Sequence, residues 1–426
     1  MPELKLAPLL EATHPSRIQG WLQPFVESAD GRPVVASTRL QPPTCYWAVY
    51  RSGDRWVTLK SFFSADQYAQ YCARLAELYP DRLGHPCHPL GGLLLAPELN
   101  AVLWAFPFDP AMPSLDRCLD GEWIAVVLRR RSPAPLRSEL VRYDPEVGAV
   151  FAYREPARGR VVAYGKDAPQ DSCGLVYLVM DRLWRSPARR TGQLHLARPL
   201  AFRPQAGLLL QTPVGGRPVS GERNRTVFLK LVEHAASALA AIHRTDIPFG
   251  PQRSLDSLIA RLEAGLDDLL LTAPGLYQAL RRLLGQIETR SAHGRATPFV
   301  PSHGDFKWDQ FLEWRGRFSI IDFELFCQAE PSFDLGYFCA YLPPSSPTDW
   351  RDGAAAEMLR SAFLRTYAEA SGAELDLERI GVCESITLAT RALAYTWQHQ
   401  PGWQLRASQM LDLALERLVS PELALA

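Results

Sequence analysis

Two stretches of this 426-residue chain carry the same order of signals about 106 residues apart, and that repetition limits the possible folds most. The first runs CYWAVY, a turn RSGD, RWVTLKSFF, then SADQYAQYCARLAELY and NAVLWAFPFDPAMPSL. The second runs GAVFAYREPARGRVVAYGKDA, DSCGLVYLVMDRLWRS and AGLLLQTPVGGRPV. Short β-branched and aromatic runs bounded by turn residues predict strands. Behind Ser64, a plausible N-cap, Tyr68, Tyr71, Cys72, Leu75 and Leu78 recur at helical spacing. The landmarks keep register: Lys60 and Lys166, and Pro107 and Pro213, lie 106 residues apart, and Pro113 and Pro218 lie 105 apart. We read a degenerate internal repeat of two strands, a helix and a strand; two unrelated small α+β units remain the competing reading. Residues 1 to about 40 are Pro-rich and give mixed signals.

After Pro218 the pattern changes. TVFLKLVEHAASALAAIH puts Val227, Phe228, Leu231, Val232, Ala235, Leu239 and Ile242 on one helical face. Five further helical stretches follow, and QFLEW and FSIIDF are the strand-like signals among them. The expected organisation is a cap over residues 1–125, a strand-rich lobe over 126–215, and a mostly helical lobe over 216–426 containing a hairpin at 302–325.

Composition narrows the function. Lysine plus arginine equals aspartate plus glutamate, 46 each, so bulk charge attracts neither nucleic acid nor a membrane surface. No apolar run reaches about 18 residues, and the N-terminal segment lacks a signal-peptide pattern. The eight cysteines include no CxxC pair. A reducing cytoplasm is the expected compartment.

The hairpin carries the chemistry. Residues 302–325 read SHGDFKWDQFLEWRGRFSIIDFEL, with Asp305 and Asp322 seventeen residues apart. Phosphoryl transfer needs a carboxylate to orient the attacking hydroxyl and hard ligands for magnesium. Asp305 precedes the first strand, Gln310 offers an amide oxygen five residues on, and Asp322 ends the second strand.

His303, Gly304, Asp305 and Gln310, followed by Ile321, Asp322, Phe323 and Glu324, resemble the catalytic-loop motif and metal-binding aspartate of the aminoglycoside phosphotransferase and choline kinase superfamily. Asp334 in PSFDLGYF and the segment LAAIHRTD add to the likeness, which runs from about residue 138 to 345. It implies an α+β, bilobal, protein-kinase-like fold, with the extra N-terminal cap resembling a degenerate repeat of the strand-rich lobe, as in maltokinase-like or glucosamine-kinase-like members. It further implies that Asp305 is the catalytic carboxylate and that Gln310 and Asp322 hold Mg2+. Lys166 would grip the phosphates of ATP or another nucleoside triphosphate. Gln211, Thr212 and Val214 would form the adenine-reading hinge, with His303 and Asp334 structural in the loop. Lys307, two residues after Asp305, would reach the transferring phosphoryl group. The acceptor would be a sugar, amino sugar or aminoglycoside-like small molecule.

Several positions depart from that pattern. Gln310 stands where Asn is usual. Asp181 is the expected partner of Lys166, in place of the usual Glu, with Asp171 as rival. No GxGxxG covers the phosphates, and PEVGA is the nearest turn. Lys60, seventeen residues before Glu77, could fill the lysine role; chain order favours Lys166, leaving Lys60 to pair with Glu77 or solvent. His243 reads as a packed helix-end histidine, and His85, Cys87 and His88 lack zinc spacing. Trp397, His399 and Trp403 could wall an acceptor site or pack in the core. A pseudokinase or nucleotide-binding module without phosphotransfer is the alternative function.

Overall fold

The computed structural model describes residues 13–26, 32–41, 44–88, 90–129, 134–169, 172–222, 224–292, 297–342, 353–398 and 402–419. Asp171 and His399 lie outside these residues.

Strands β1 (Val34–Gln41), β2 (Cys45–Ser52), β3 (Arg55–Phe62), β4 (Leu93–Ala96) and β5 (Ala101–Ala105) form one antiparallel sheet in the order β1-β2-β3-β5-β4. Helix α1 (Ala65–Leu78) connects β3 to β4, its first turn capped by the Ser64 hydroxyl on the Asp66 N–H at 3.2 Å. Strands β6 (Arg137–Asp144), β7 (Gly148–Arg154), β8 (Val161–Asp167), β9 (Pro199–Arg203) and β10 (Leu208–Gln211) form a second sheet in the corresponding order, β6-β7-β8-β10-β9. Helix α2 (Ser172–Arg185) sits at the matching point of the chain. Lys60 faces Val102 across β3 and β5, and Lys166 faces Leu209 across β8 and β10.

The repeat read from sequence contains the inner strands of both sheets and omits β1, β4, β6 and β9, which are all edge strands. β1 and β6 bury few residues and carry no apolar pattern, while β4 (LLLA) and β9 (PLAFR) are largely apolar but only four and five residues long. The first four residues of β1 are exposed, and four of the eight residues of β6 are charged.

Two short helices, Leu115–Leu119 and Gly121–Val127, cover the second sheet. Leu115, Cys118, Ile124 and Ala125 pack there with Phe151, Tyr153, Leu208 and Leu210. By packing, residues 115–125 thus join the second sheet.

The remainder is helical: α3 (Arg225–His243), α4 (Leu255–Thr272), α5 (Pro274–Ser291), α6 (Pro331–Ala340), α7 (Gly353–Ser371), α8 (Leu377–Gln398) and α9 (Trp403–Val419). Helices α4, α5, α8 and α9 share one apolar core. A second core runs from α2 through α3 to Phe306, Phe311, Phe338 and Phe363, joining the strand-rich and helical lobes without a break. Strands β14 (Phe311–Trp314) and β15 (Arg317–Ile320) form the hairpin, and β11 (Arg217–Pro218) adds to β14. The Ile320 N–H donates to the His195 carbonyl at 2.9 Å, so the hairpin is also tied to the loop entering β9. Strands β12 (Gln252–Arg253), β13 (Val300–Ser302) and β16 (Cys327–Ala329) make a small sheet beneath the loop at 303–305. Among the described residues no helix is long and apolar enough to cross a membrane.

Candidate active site

The loop after β13 is built around Asp334, which is fully buried on α6. Its carboxylate accepts from the N–H groups of His303 (2.7 Å) and Gly304 (3.0 Å), and His243 Nε2 lies 3.4 Å away. Burial acts to raise its pKa; His243, His303 and the Gly304 N–H overcome this and hold it below the usual carboxylate range. His243 Nδ1 in turn meets the Tyr367 hydroxyl at 2.7 Å. Gly304 has φ +82°, and a Cβ there would stand 1.8 Å from the Leu325 carbonyl oxygen, so only glycine fits. His303 is buried, with Nε2 3.1 Å from the Ile321 carbonyl and Nδ1 accepting from the Asp305 N–H at 3.3 Å. The two aspartate segments are thereby held against each other.

Three donors fix the Asp305 carboxylate. Lys307 Nζ (2.8 Å) and the Tyr337 hydroxyl (2.5 Å) reach Oδ1, and Gln310 Nε2 (2.6 Å) reaches Oδ2. The Gln310 amide nitrogen must be the end facing a carboxylate, so its Oε1 is left for a cation. Burial acts to lower the Lys307 pKa, and the adjacent Asp305 charge raises it above the ordinary lysine value.

Asp322 follows β15 with φ +65°, a left-handed conformation uncommon for a non-glycine residue. Lys166 Nζ, from β8, lies 2.8 Å from Asp322 Oδ1 and 2.8 Å from Glu324 Oε1. Burial acts to lower the Lys166 pKa, and the two carboxylates reverse this to a net rise. Asp322 shifts the other way: burial acts to raise it, and Lys166 draws it below the usual range. The pair therefore stays ionised.

The structure does not bring Asp181 to Lys166. Its carboxylate pairs with Arg185 one turn along α2, at 3.0 Å. Glu324, quoted in the motif without a role, is the second acid on the lysine. One residue, Phe323, separates it from Asp322, and both carboxylates reach the same Lys166 ammonium. Lys60 does not pair with Glu77 or solvent. It is buried at 7% exposure and binds Glu146 at 2.7 Å, while Glu77 is exposed. Tyr337 was not anticipated, although its place three residues after Asp334 puts both on one face of α6. In the segment expected to form the hinge, the Thr212 N–H donates to the Arg198 carbonyl and the Arg198 N–H to Thr212 Oγ1, both at 2.9 Å. Gln211 ends β10, and Val214 packs partly buried against the larger core. Trp403 opens α9 beside the helical core.

The donors at Asp322, Glu324 and Gln310 are all oxygens, the set a hard cation such as Mg2+ prefers. Among the described residues no three His, Cys, Asp or Glu side chains form a closed metal cage. A magnesium ion that takes much of its shell from water and phosphate needs none.

The sequence profile of the phosphotransferase enzyme family matches residues 119–374, more than half of the chain. The chain belongs to this phosphotransferase family. The match begins after the first sheet, so it contains Lys166, Asp305 and Asp322 and leaves out Lys60. Among solved structures, a protein described as an aminoglycoside phosphotransferase from Ralstonia eutropha is 15% identical with a TM-score of 0.51, covering 71% of this chain and 97% of its own. A choline/ethanolamine kinase family protein from Mesorhizobium loti is 17% identical, TM-score 0.46, covering 67% and 90%. A choline kinase from Cryptosporidium parvum is 12% identical, TM-score 0.48, covering 68% and 90%. No curated protein matches the phosphotransferase by sequence. Its fold is the bilobal, protein-kinase-like one, a strand-rich lobe followed by a helical lobe.

Proposed function

We propose that this phosphotransferase is an ATP- and Mg2+-dependent kinase acting on a hydroxyl of a small molecule, a sugar, amino sugar or aminoglycoside-like acceptor. The observation that carries the reading is Lys166 on Asp322 and Glu324, a salt-bridged cluster drawn from both lobes, with His303 tying the segment of Asp322 to that of Asp305.

In this reading the second sheet, with the helices at 115–127 packed on it, binds the nucleotide up to residue 215, and the first sheet forms a cap. Asp305 orients the acceptor hydroxyl and takes its proton. A carboxylate has about four lone-pair sites. The Lys307, Tyr337 and Gln310 hydrogen bonds use three, so one remains for the acceptor. The free site is on Oδ2; Lys307, bonded to Oδ1 of the same carboxylate, steers the phosphoryl oxygens. Asp322 and Gln310 would hold magnesium, with Glu324 adjacent. When bound, the ion neutralises charge on the bridged phosphates. Lys166 grips the nucleotide phosphates. At the hinge the Thr212 N–H is committed to Arg198 and Pro213 has none, so the base would be read by the Val214 N–H.

The test is purified protein with Mg2+ and ATP, or GTP, against a panel of sugars, amino sugars and aminoglycosides, following nucleoside diphosphate release. Acceptor-dependent release, lost in Asp305→Asn, is expected. Tight Mg-nucleotide binding with no turnover on any acceptor would favour a nucleotide-binding module.

A further inference from the structure

The turn between β6 and β7, Asp144 to Gly148, hangs at the end of the second sheet where β8 finishes, with Val150 directly opposite Lys166. On the reading above it stands where a phosphate-covering loop must lie. Such loops commonly depend on several glycines. This turn has one, and Glu146 within it adopts φ +59°, a conformation that disfavours a side chain. Something outside the turn must hold it.

The holders belong to the first sheet and its exit. Asp109 is fully buried; its Oδ2 accepts from the Glu146 N–H (2.9 Å) and the Tyr143 hydroxyl (2.8 Å), and its Oδ1 from the Ala111 N–H (2.8 Å). Trp104 on β5 donates to the Tyr143 oxygen at 3.0 Å. The Glu146 carboxylate receives Lys60 Nζ at 2.7 Å and the Tyr71 hydroxyl at 2.6 Å. The Lys60 ammonium lies 4.7 Å from the Trp47 ring centre and 4.3 Å from that of Tyr71. Arg39 on β1, stacked on Trp47, donates to the Asp144 carboxylate and the Pro145 carbonyl, each at 3.3 Å. Lys60 thus holds, in the first sheet, the place Lys166 holds in the second, and its cation grips a glutamate of the neighbouring sheet. Beyond this contact, β1 rests against α8 of the helical lobe.

We propose that the first sheet is a brace. Through Lys60, Tyr71 and Asp109 it fixes the β6–β7 turn in its nucleotide-receiving conformation, in place of glycine flexibility, and it anchors that turn to the helical lobe through β1. Lys60, Asp109 and Glu146 are positioning residues. The proposal rests on the second sheet being the nucleotide lobe.

The test measures Mg-AMP-PNP affinity of the full chain by calorimetry for Lys60→Met, Glu146→Gln and the double variant. Each single change should weaken binding about tenfold, the scale of one lost charge-assisted hydrogen bond. The double should be no weaker than either single, and Lys60→Arg should restore most of the affinity. Unchanged affinity in the singles, or additive losses in the double, overturns the brace. Asp322→Ala separates the two readings. If it binds as wild type, the nucleotide site itself is misassigned. If it loses binding while Glu146→Gln keeps it, the brace alone fails. Should Lys60→Met not fold, amide exchange of Glu146 in the wild type decides: slow exchange is expected, and free exchange in the folded protein refutes the brace.

Discussion

Asp305 is held by three donors, and two of its three neighbours were visible in the motif while the third was not. Lys307 and Gln310 follow at fixed spacing in the same loop, whereas Tyr337 reaches the carboxylate from α6, a contact no local pattern announces. Asp305→Asn should preserve the fold and Mg-nucleotide binding, because Lys307 and Tyr337 can still bond an amide oxygen and the Gln310 amide can turn to accept from the new NH2. Turnover should fall about 10²-fold or more, the usual scale for lost acid–base help. Steady-state kinetics on the best acceptor of the panel checks this, and near-normal turnover excludes the role. Gln310→Asn tests the neighbouring position. It shortens the reach to Asp305 while retaining an oxygen ligand, so Mg2+ dependence should persist with a modest loss of kcat. A variant indifferent to Mg2+ would remove Gln310 from the ion's shell. Asp181 illustrates the limit of residue spacing: a helical acid at the expected distance found an arginine one turn away before it could find the lysine.

At the level of elements, long apolar strands announced themselves, and polar or very short edge strands did not. β2 is buried along seven of its eight residues and stands out as CYWAVYRS; β6 reads RSELVRYD and is recognisable only by its partner. The hairpin, the helices and the inner repeat were legible for the same reason, continuous apolar faces. The contact between the sheets was not, because its polar members are spread over Arg39, Lys60, Asp109 and Glu146. That seam carries a titration. Burial, aided by the Asp109 charge, raises Asp167 at the end of β8 to about 7, and burial raises Asp109 to about 6. Both folded values exceed the ordinary aspartate value of 3.8. Protons are therefore held more tightly in the folded chain, and this contribution to stability is complete below about pH 4 and lost as pH rises through 6 to 7. Asp167→Asn should abolish part of that loss. Relative to wild type, the variant should gain on the order of 2 kcal/mol between pH 5 and pH 8. Urea unfolding at the two pH values reads the difference, and parallel behaviour of the two proteins would show that Asp167 does not titrate there.

For the whole molecule, the two lysines separate the two sheets by consequence. Lys166 spans the lobes to Asp322 and Glu324, so Lys166→Met should cost nucleotide affinity and turnover with little change in unfolding midpoint. Lys60 is buried under aromatic rings on a carboxylate, and removing it leaves Glu146 uncompensated, so its loss should lower stability as well. Equal midpoints for the two variants would mean the sheets are not coupled as the ion pair implies.

The covering of the second sheet has a further consequence, for how this chain can be divided. The family profile starts at residue 119, inside the short helices that roof β7 and β10, and Asp109 and Trp104 lie upstream of that point. Cutting there leaves Tyr143 without either partner and strips Met112, Leu115 and Cys118 from an apolar surface they now shield. The region the family shares is therefore expected to depend on the segment before it. A fragment of residues 119–426 should express poorly or unfold without cooperativity, and adding residues 13–118 as a separate polypeptide should rescue it by non-covalent complementation. A fragment that melts as sharply as the intact chain would show that the region matching the family stands alone.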